Sequence, residues 1–342
     1  MKQIIHQSIG FLRVVSKLSL SSYLLLASLG TAHAQSTVHI DGSSTVYPIT
    51  EAVAEDFQAA EKNKTNVVVG ISGTGGGFKK FCRGEIDVVN ASRPILTKEM
   101  DECRKANIKY IELPIAFDAL VVVVQKNNSF INDISVEELK KIWAPESKGA
   151  VMKWSDVRAG LPTTPLKLYG AGTDSGTFDY FTEAIVGKAK SSRSDYTASE
   201  DDNVLVQGVS KDKGGLAYFG FAYYIENQSK LKALGIKANA TAKAVLPSEQ
   251  TVTDASYQPL SRPLFIYVSA DAVKKPEVDR FVQFYLKNAA KLTREVKYFP
   301  LKKEDYEHAS RNYTSRKVGT AFGGEPKIGV KVSDLLKMDP KQ

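Results

Sequence analysis

The fold is decided first at residues 38–57, which read VHIDGSSTVYPITEAVAEDF. The first four residues have the composition of a short strand, and GSST follows at 42–45. Ile49, Val53 and Phe57 then recur at helical spacing. This segment therefore predicts a strand that ends in a Gly/Ser/Thr junction and continues into a helix.

Two more junctions repeat the pattern. A β-branched run at 67–71 leads into SGTGGG at 72–77, and a strand at 166–169 leads into GAGTDSGT at 170–177. Phe78 and Phe178 then open apolar helical patterns. We expect the glycine-rich stretch to be a loop and its helix to begin near Phe78.

The rest of the chain alternates strands with helices in the same way. Residues 120–125 form a continuous apolar strand, a helix at 136–143 has Ser135 as N-cap, and a helix through Ala106 has Thr97 as N-cap. The last helix is predicted at 306–321. This alternation predicts an α/β fold with mostly parallel sheets, in which ligands bind beyond the carboxyl ends of the strands.

The three junctions share one chemistry. A helix N-terminus offers unpaired backbone N–H groups and a partial positive charge, glycine permits close approach, and Ser and Thr hydroxyls add neutral donors. Together these groups make a site for an oxyanion. A single junction is explained more readily by ordinary N-capping, but three in one chain favour the anion site.

Catalytic and metal-binding patterns are weak by comparison. Ser175 stands one place late for the G-x-S-x-G elbow of a hydrolase, and the stretch at 72–77 lacks the G-K-[ST] ending of a P-loop. No metal-ligand spacing is present, and the acidic run at 200–202 is explained by solvation or by a helix N-terminus. We therefore predict neither a cofactor nor a metal.

The first 34 residues are interpreted as a cleaved secretory signal peptide. Lys2, Arg13 and Lys17 precede an apolar core at 18–29 and a small-x-small cleavage site at 32–34. Residues 35–342 contain 43 Lys and Arg and 38 Asp and Glu, which gives a net charge of +5. This charge attracts small anions at long range but is too small to indicate binding of nucleic acid. In an exported chain, Cys82 and Cys103 favour one disulfide, although two buried thiols remain an alternative.

Four segments resemble the substrate-binding proteins of phosphate ABC importers, in the family's order. They are DGSSTVYP at 41–48, GTGGGF at 73–78, NASRP at 90–94 and TDSGTF at 173–178. The resemblance implies the two-lobed type II periplasmic-binding-protein fold, in which each lobe is a mostly parallel sheet flanked by helices. It places one lobe at 35–118 plus about 260–342 and the other at 119–259, with the chain crossing near 117–120 and returning near 246–263.

The resemblance also implies a ligand set between the lobes. Carried over by position, the phosphate ligands are Ser44, Thr45, Thr74, Ser175, Gly176 and Thr177. Some members place an aspartate where this chain has Arg93, so the chain looks like the branch with a Ser-Arg-Pro motif in which Arg93 supplies positive charge. The acceptor that would select protonated phosphate over sulfate is then open, and Asp174 is one candidate.

These observations predict capture of inorganic phosphate in the periplasm by a monomer, followed by delivery to the membrane permease subunits of an ABC importer. The alternatives are a binding protein for another oxyanion, such as sulfate or molybdate, and a secreted phosphatase that uses Ser175. A phosphate sensor or scavenger without a transporter would have the same sequence features.

Overall fold

The computed structural model describes residues 35–173, 175–199, 201–325 and 331–341. The predicted signal peptide at 1–34 lies outside the described residues. Within these ranges, no helix combines the length and the apolar character needed to cross a bilayer.

The first half of the chain runs from strand to helix at each predicted junction. The elements in order are β1 (Ser36–Gly42), α1 (Tyr47–Ala60), β2 (Thr65–Val69), α2 (Gly73–Cys82), β3 (Val88–Ala91), α3 (Thr97–Lys105), β4 (Tyr110–Gln125), β5 (Asp133–Ser135), α4 (Val136–Trp143), α5 (Trp154–Val157), β6 (Lys167–Ala171) and α6 (Gly176–Val186).

The second half adds the strands that complete the sheet and the longest helix. Its elements are β7 (Thr197–Ser199), α7 (Asp202–Lys211), β8 (Gly215–Gly220), α8 (Phe221–Glu226), β9 (Leu231–Ala233), β10 (Gly235–Lys237), α9 (Glu249–Thr253), β11 (Ser261–Ser269), α10 (Pro276–Glu295), β12 (Phe299–Pro300), α11 (Lys303–Thr314) and α12 (Val332–Leu335).

One mixed sheet joins most of the described strands. Its order is β2-β1-β3-β11-β4-β8-β6-β7, with β12 and β9 also paired to β4. The outer strands pair in parallel, β1 with β3 and β6 with both β7 and β8. The two central strands, β4 and β11, pair antiparallel with each other and with their other neighbours. The α/β prediction is confirmed, and the antiparallel pairs arise where the chain crosses the sheet and returns.

The long strand β4 belongs to both halves of this sheet. Its pairing with β11 ends at Ala119, opposite Ser261, and its pairing with β8 begins at Leu120, opposite Gly220. The sequence predicted only residues 120–125 of this strand. The change of partner falls within the predicted crossing at 117–120, although the division into lobes at 118 and 260 remains a prediction.

The long helix α10 shows how the core is built. Val278, Phe281, Val282 and Tyr285 recur at helical spacing and are fully buried. Phe57 of α1 meets the Phe281 ring edge-to-face, with 5.3 Å between the ring centroids. Each such side chain contributes about 1.5–3 kcal/mol on burial, so this face fixes α10 against α1.

The glycine-rich stretch corrects one expectation. Residues 73–77 are the first turns of α2 and not a loop ahead of it. A Cβ on Gly77 would lie 2.7 Å from the Cα of Gly42 and 2.7 Å from Val89. Glycine is therefore needed here because helix α2 packs directly on the ends of β1 and β3.

Two helix boundaries also differ from the prediction. Thr97 is the first residue of α3 and not its N-cap, and its backbone N–H and its hydroxyl donate to the carbonyl of Gly324. Helix α11 ends at Thr314, because Arg316 has a φ of 55° and the chain then turns back toward β4. By contrast, the predicted cap of α4 is confirmed, since Ser135 accepts from the Glu138 N–H.

The predicted disulfide is confirmed. Cys82, the last residue of α2, is bonded to Cys103 near the end of α3. The bond joins the two helices that flank β3 and the Asn90–Pro94 segment after it.

Candidate anion-binding site

The junction between β1 and α1 is held against the end of β3. Gly42 has a φ of 137°, and a Cβ there would lie 2.2 Å from the Asn90 carbonyl oxygen, so only glycine fits. Ser43 donates its N–H to that same oxygen, at 2.9 Å, and the Ser43 hydroxyl accepts from the Thr45 N–H. The loop is thereby fixed with Ser44 and Thr45 just ahead of α1.

The junction between β6 and α6 approaches this loop closely. Ser175 caps α6 by accepting from the Thr177 N–H at 3.1 Å. A Cβ on Gly176 would lie 2.7 Å from the Thr45 hydroxyl oxygen and 3.0 Å from that of Ser44. Two predicted junctions, about 130 residues apart in sequence, therefore face each other at van der Waals distance.

A cavity of about 590 Å³ extends from this meeting point. One part of its lining is made of predicted phosphate ligands and a buried carboxylate, namely Ser44, Thr45, Ser175, Gly176, Thr177 and Asp118. The remainder carries aromatic and charged groups, among them Phe221, Tyr223, Tyr298, Phe299, Asp202, Glu226 and Lys297. The hydroxyl-rich part has the donors that an oxyanion needs.

The predicted ligands Thr74 and Arg93 form a second group. The Thr74 hydroxyl lies 3.2 Å from the Ser92 hydroxyl and 3.2 Å from the Ser92 N–H, which donates to it. The Arg93 guanidinium binds both carboxylate oxygens of Glu99, at 2.7 and 2.8 Å. Neither Thr74 nor Arg93 is among the described residues that line the 590 Å³ cavity.

The Arg93 ion pair is tight and partly buried. Its Nη1 also donates to the Pro94 carbonyl at 3.0 Å, so the side chain is held at three oxygens. Burial disfavours the charged form, but Glu99 outweighs burial and the pKa of Arg93 is raised. The guanidinium therefore stays charged while it is committed to a carboxylate.

A second arginine, which the sequence analysis missed, lies at the first junction. Nη2 of Arg262 lies 3.3 Å from the Thr45 hydroxyl oxygen and 3.4 Å from Oδ2 of Asp118. Its guanidinium carbon lies 3.9 Å from the centroid of the Tyr180 ring on α6. Arg262 therefore contacts groups from both facing junctions.

The sheet explains this placement. Arg262 of β11 and Asp118 of β4 are directly opposite each other in the antiparallel register. Burial raises the pKa of Asp118, while Arg262 acts in the opposite direction. One sequence signal was available, because Ser-Arg-Pro occurs at 261–263 as well as at 92–94.

The remaining predicted acceptor, Asp174, lies outside the described residues. Within the described ranges, no cluster of three His, Cys, Asp or Glu side chains could hold a metal ion. The hydroxyl-rich part of the cavity offers hydrogen-bond donors to an anion, and Asp118 beside it offers an acceptor.

A mixed α/β sheet crossed twice by the chain, with Ser/Thr junctions facing a shared cavity, is the architecture of a solute-binding protein. A model of the PBP superfamily domain matches residues 27–289. Protein SphX of Synechococcus elongatus is 55% identical over 302 residues, which cover 88% of each chain. The phosphate-binding protein PstS of Staphylococcus saprophyticus is 38% identical over 269 residues, covering 78% of this chain and 81% of that protein.

Solved structures agree with the sequence comparisons. The crystal structure of a possible phosphate binding protein from Planctomyces limnophilus matches with a TM-score of 0.74 and 51% identity, covering 82% of this chain and 98% of that one. An ABC-type phosphate transport receptor from Vibrio cholerae shares the fold, with a TM-score of 0.64, 21% identity, and coverage of 77% of this chain and 99% of that one. The chain belongs to the PBP superfamily, within the family of SphX and PstS.

Proposed function

We propose that this chain binds inorganic phosphate outside the cytoplasm and delivers it to an ABC importer. The observation that carries the proposal is the approach of Gly176 to the hydroxyls of Ser44 and Thr45. It brings the N-termini of two helices and several neutral donors to one place, where a dehydrated oxyanion can be bound. The names of the relatives support phosphate as that oxyanion.

The proposed neutral ligands are the predicted Ser and Thr donors and the Gly176 backbone. Ser44, Thr45 and the 175–177 segment form one side of the cavity. Thr74, on the neighbouring helix α2, lies outside that lining and bonds with Ser92. Ser175 is also the N-cap of α6, so the same hydroxyl accepts from the Thr177 N–H and is proposed to donate to the anion.

A binding role is favoured over catalysis by the surroundings of Ser175. Its oxygen accepts from a backbone N–H, and among the described residues no histidine lines the cavity to act as a base. No bond needs to break for capture and release, because hinge closure between lobes suffices. We therefore propose a monomeric, non-enzymatic carrier in the periplasm that docks on permease subunits.

A carboxylate in the cavity is the proposed basis of selectivity. Asp118 is 7% exposed and lines the cavity beside Ser44 and Thr45. An unprotonated carboxylate repels a dianion, but it accepts a hydrogen bond from an anion that carries a proton. Phosphate carries such a proton at neutral pH and sulfate does not, so Asp118 favours phosphate.

Isothermal titration of the mature protein, freed of endogenous anion, tests the proposal. Phosphate and sulfate are titrated at matched ionic strength, and we expect heat from phosphate and none from sulfate. Equal binding of both anions would retain the site but remove the phosphate assignment. If neither anion binds, and a chromogenic phosphate ester is turned over in a manner abolished by Ser175→Ala, the phosphatase alternative is correct.

A further inference from the structure

Two partly buried arginines lie close to the predicted donors, and their bonding differs. Arg93 is held by three short contacts, two of them to Glu99 at 2.7 and 2.8 Å. Among the residues that the structure describes, Arg262 makes two hydrogen bonds, and both are long, at 3.3 and 3.4 Å. An incoming anion must displace a well-formed bidentate pair to reach Arg93, whereas Arg262 has bonding capacity to spare.

The group of Arg262 that can still form a hydrogen bond is its Nε–H. Its Nε is buried and has no hydrogen-bond partner among the described residues. The side chain is 11% exposed, so solvent supplies little compensation. A buried, charged donor without a partner is costly, and such a group is retained where a ligand completes its bonding.

The position of Arg262 fits a ligand of this site. Its Nη2 contacts the Thr45 hydroxyl, which is the same oxygen that approaches Gly176 most closely. The Tyr180 ring stacks on the guanidinium and fixes its plane, while the Tyr180 hydroxyl is engaged with the Pro259 carbonyl at 2.6 Å. The guanidinium is thereby oriented at the base of the two facing junctions.

We propose that Arg262, and not Arg93, is the arginine that contacts the bound anion, with the anion accepting from the Nε–H that has no partner among the described residues. This inference rests on the proposed function, because it names the charged ligand of the same site. The contact with Asp118 holds the guanidinium in place before the anion arrives, and Arg93 with Glu99 is a structural pair that fixes the start of α3.

Matched Arg→Lys variants test the assignment by titration with inorganic phosphate. Lysine keeps the charge but loses the planar fork. We expect Arg262→Lys to weaken phosphate binding by about tenfold to a hundredfold, the loss of one charge-assisted hydrogen bond, and Arg93→Lys to weaken it by less than about threefold. Lys79→Gln removes an exposed cation on α2 and measures how far phosphate binding depends on overall charge alone.

The wild-type protein provides a second readout that does not depend on how the variants fold. The two arginine Nε–H signals are assigned in the NMR spectrum of ¹⁵N-labelled wild-type protein by comparison with the variants. The signal that is absent from the spectrum of Arg262→Lys belongs to Arg262, and the signal that is absent from the spectrum of Arg93→Lys belongs to Arg93. Phosphate should shift the Arg262 signal and slow its hydrogen exchange, and leave the Arg93 signal in place. A shift of the Arg93 signal alone, or selective loss of binding in Arg93→Lys, would overturn the inference. Absence of phosphate binding by the wild type would instead overturn the proposed function.

Discussion

The approach of Gly176 to the first junction makes Gly176→Ala the most informative single substitution. An added Cβ would lie 2.7 Å from the Thr45 oxygen, whereas non-bonded heavy atoms rest at about 3.5 Å. The Thr45 hydroxyl must therefore rotate away, or the two junctions must separate by about 0.8 Å. In either case a hydrogen bond of about 2.9 Å from this hydroxyl to a bound anion would lengthen to about 3.7 Å or lose its alignment.

The expected loss of affinity follows from that displacement. One charge-assisted hydrogen bond contributes about 1.5–3 kcal/mol, so Gly176→Ala should weaken phosphate binding by about 10- to 150-fold. Global stability should not fall, because Ala is a better helix former than Gly at the first position of α6. Titration calorimetry and thermal unfolding measure the two effects separately.

Gly187→Ala is the matched control at the other end of the same helix. Gly187 has a φ of 92° and nothing within 4 Å of its Cβ position, so the substitution strains the backbone without a clash. It should cost about 1 kcal/mol of stability and leave phosphate affinity unchanged. If Gly176→Ala binds phosphate within about twofold of the wild type and is fully folded, the facing junctions do not form the site.

Three further outcomes are expected. Asp118→Asn should raise sulfate affinity relative to phosphate, because a neutral amide no longer repels a dianion; an unchanged ratio in competition titrations would exclude Asp118 as the selecting group. Replacing Cys82 and Cys103 by alanine should lower the free energy of unfolding by about 3 kcal/mol, since the bond closes a loop with a sequence separation of 21; an unchanged urea midpoint would contradict this. Two short hydrogen bonds from Arg193 lower the pKa of Asp195 to about 2. The free energy of unfolding of the wild type should therefore fall between pH 4 and pH 2, and that of Asp195→Asn should fall less over the same range. An equal fall for the two proteins, measured by urea unfolding at each pH, would refute this.

Features with local causes could be predicted from the sequence. The cap of α4 follows from Ser135 and Glu138, which satisfy each other's backbone N–H groups three residues apart. The Gly/Ser/Thr junctions ahead of α1 and α6 were likewise identified from short strands followed by helical spacing. In each case the deciding interactions lie within one or two turns of the chain.

Features with long-range causes could not be predicted in this way. The glycines of α2 predict a loop, because nothing local reveals that Gly77 packs on Gly42 of β1. Arg262 is 217 residues from Thr45, and only the register of β11 against β4 brings its side chain to the site. The Ser-Arg-Pro motif predicts Arg93 as a ligand, but the short bonds from Arg93 to Glu99 depend on the three-dimensional structure.

The central claim is that one anion is bound where the two junctions face each other. A crystal structure of the mature protein grown with phosphate tests it most directly. The account predicts a tetrahedral anion within hydrogen-bonding distance of the Thr45 hydroxyl, the Gly176 or Thr177 backbone N–H, and Nε of Arg262. Phosphate found elsewhere on the molecule, or contacting Arg93 while Arg262 remains paired only with Asp118, would contradict it.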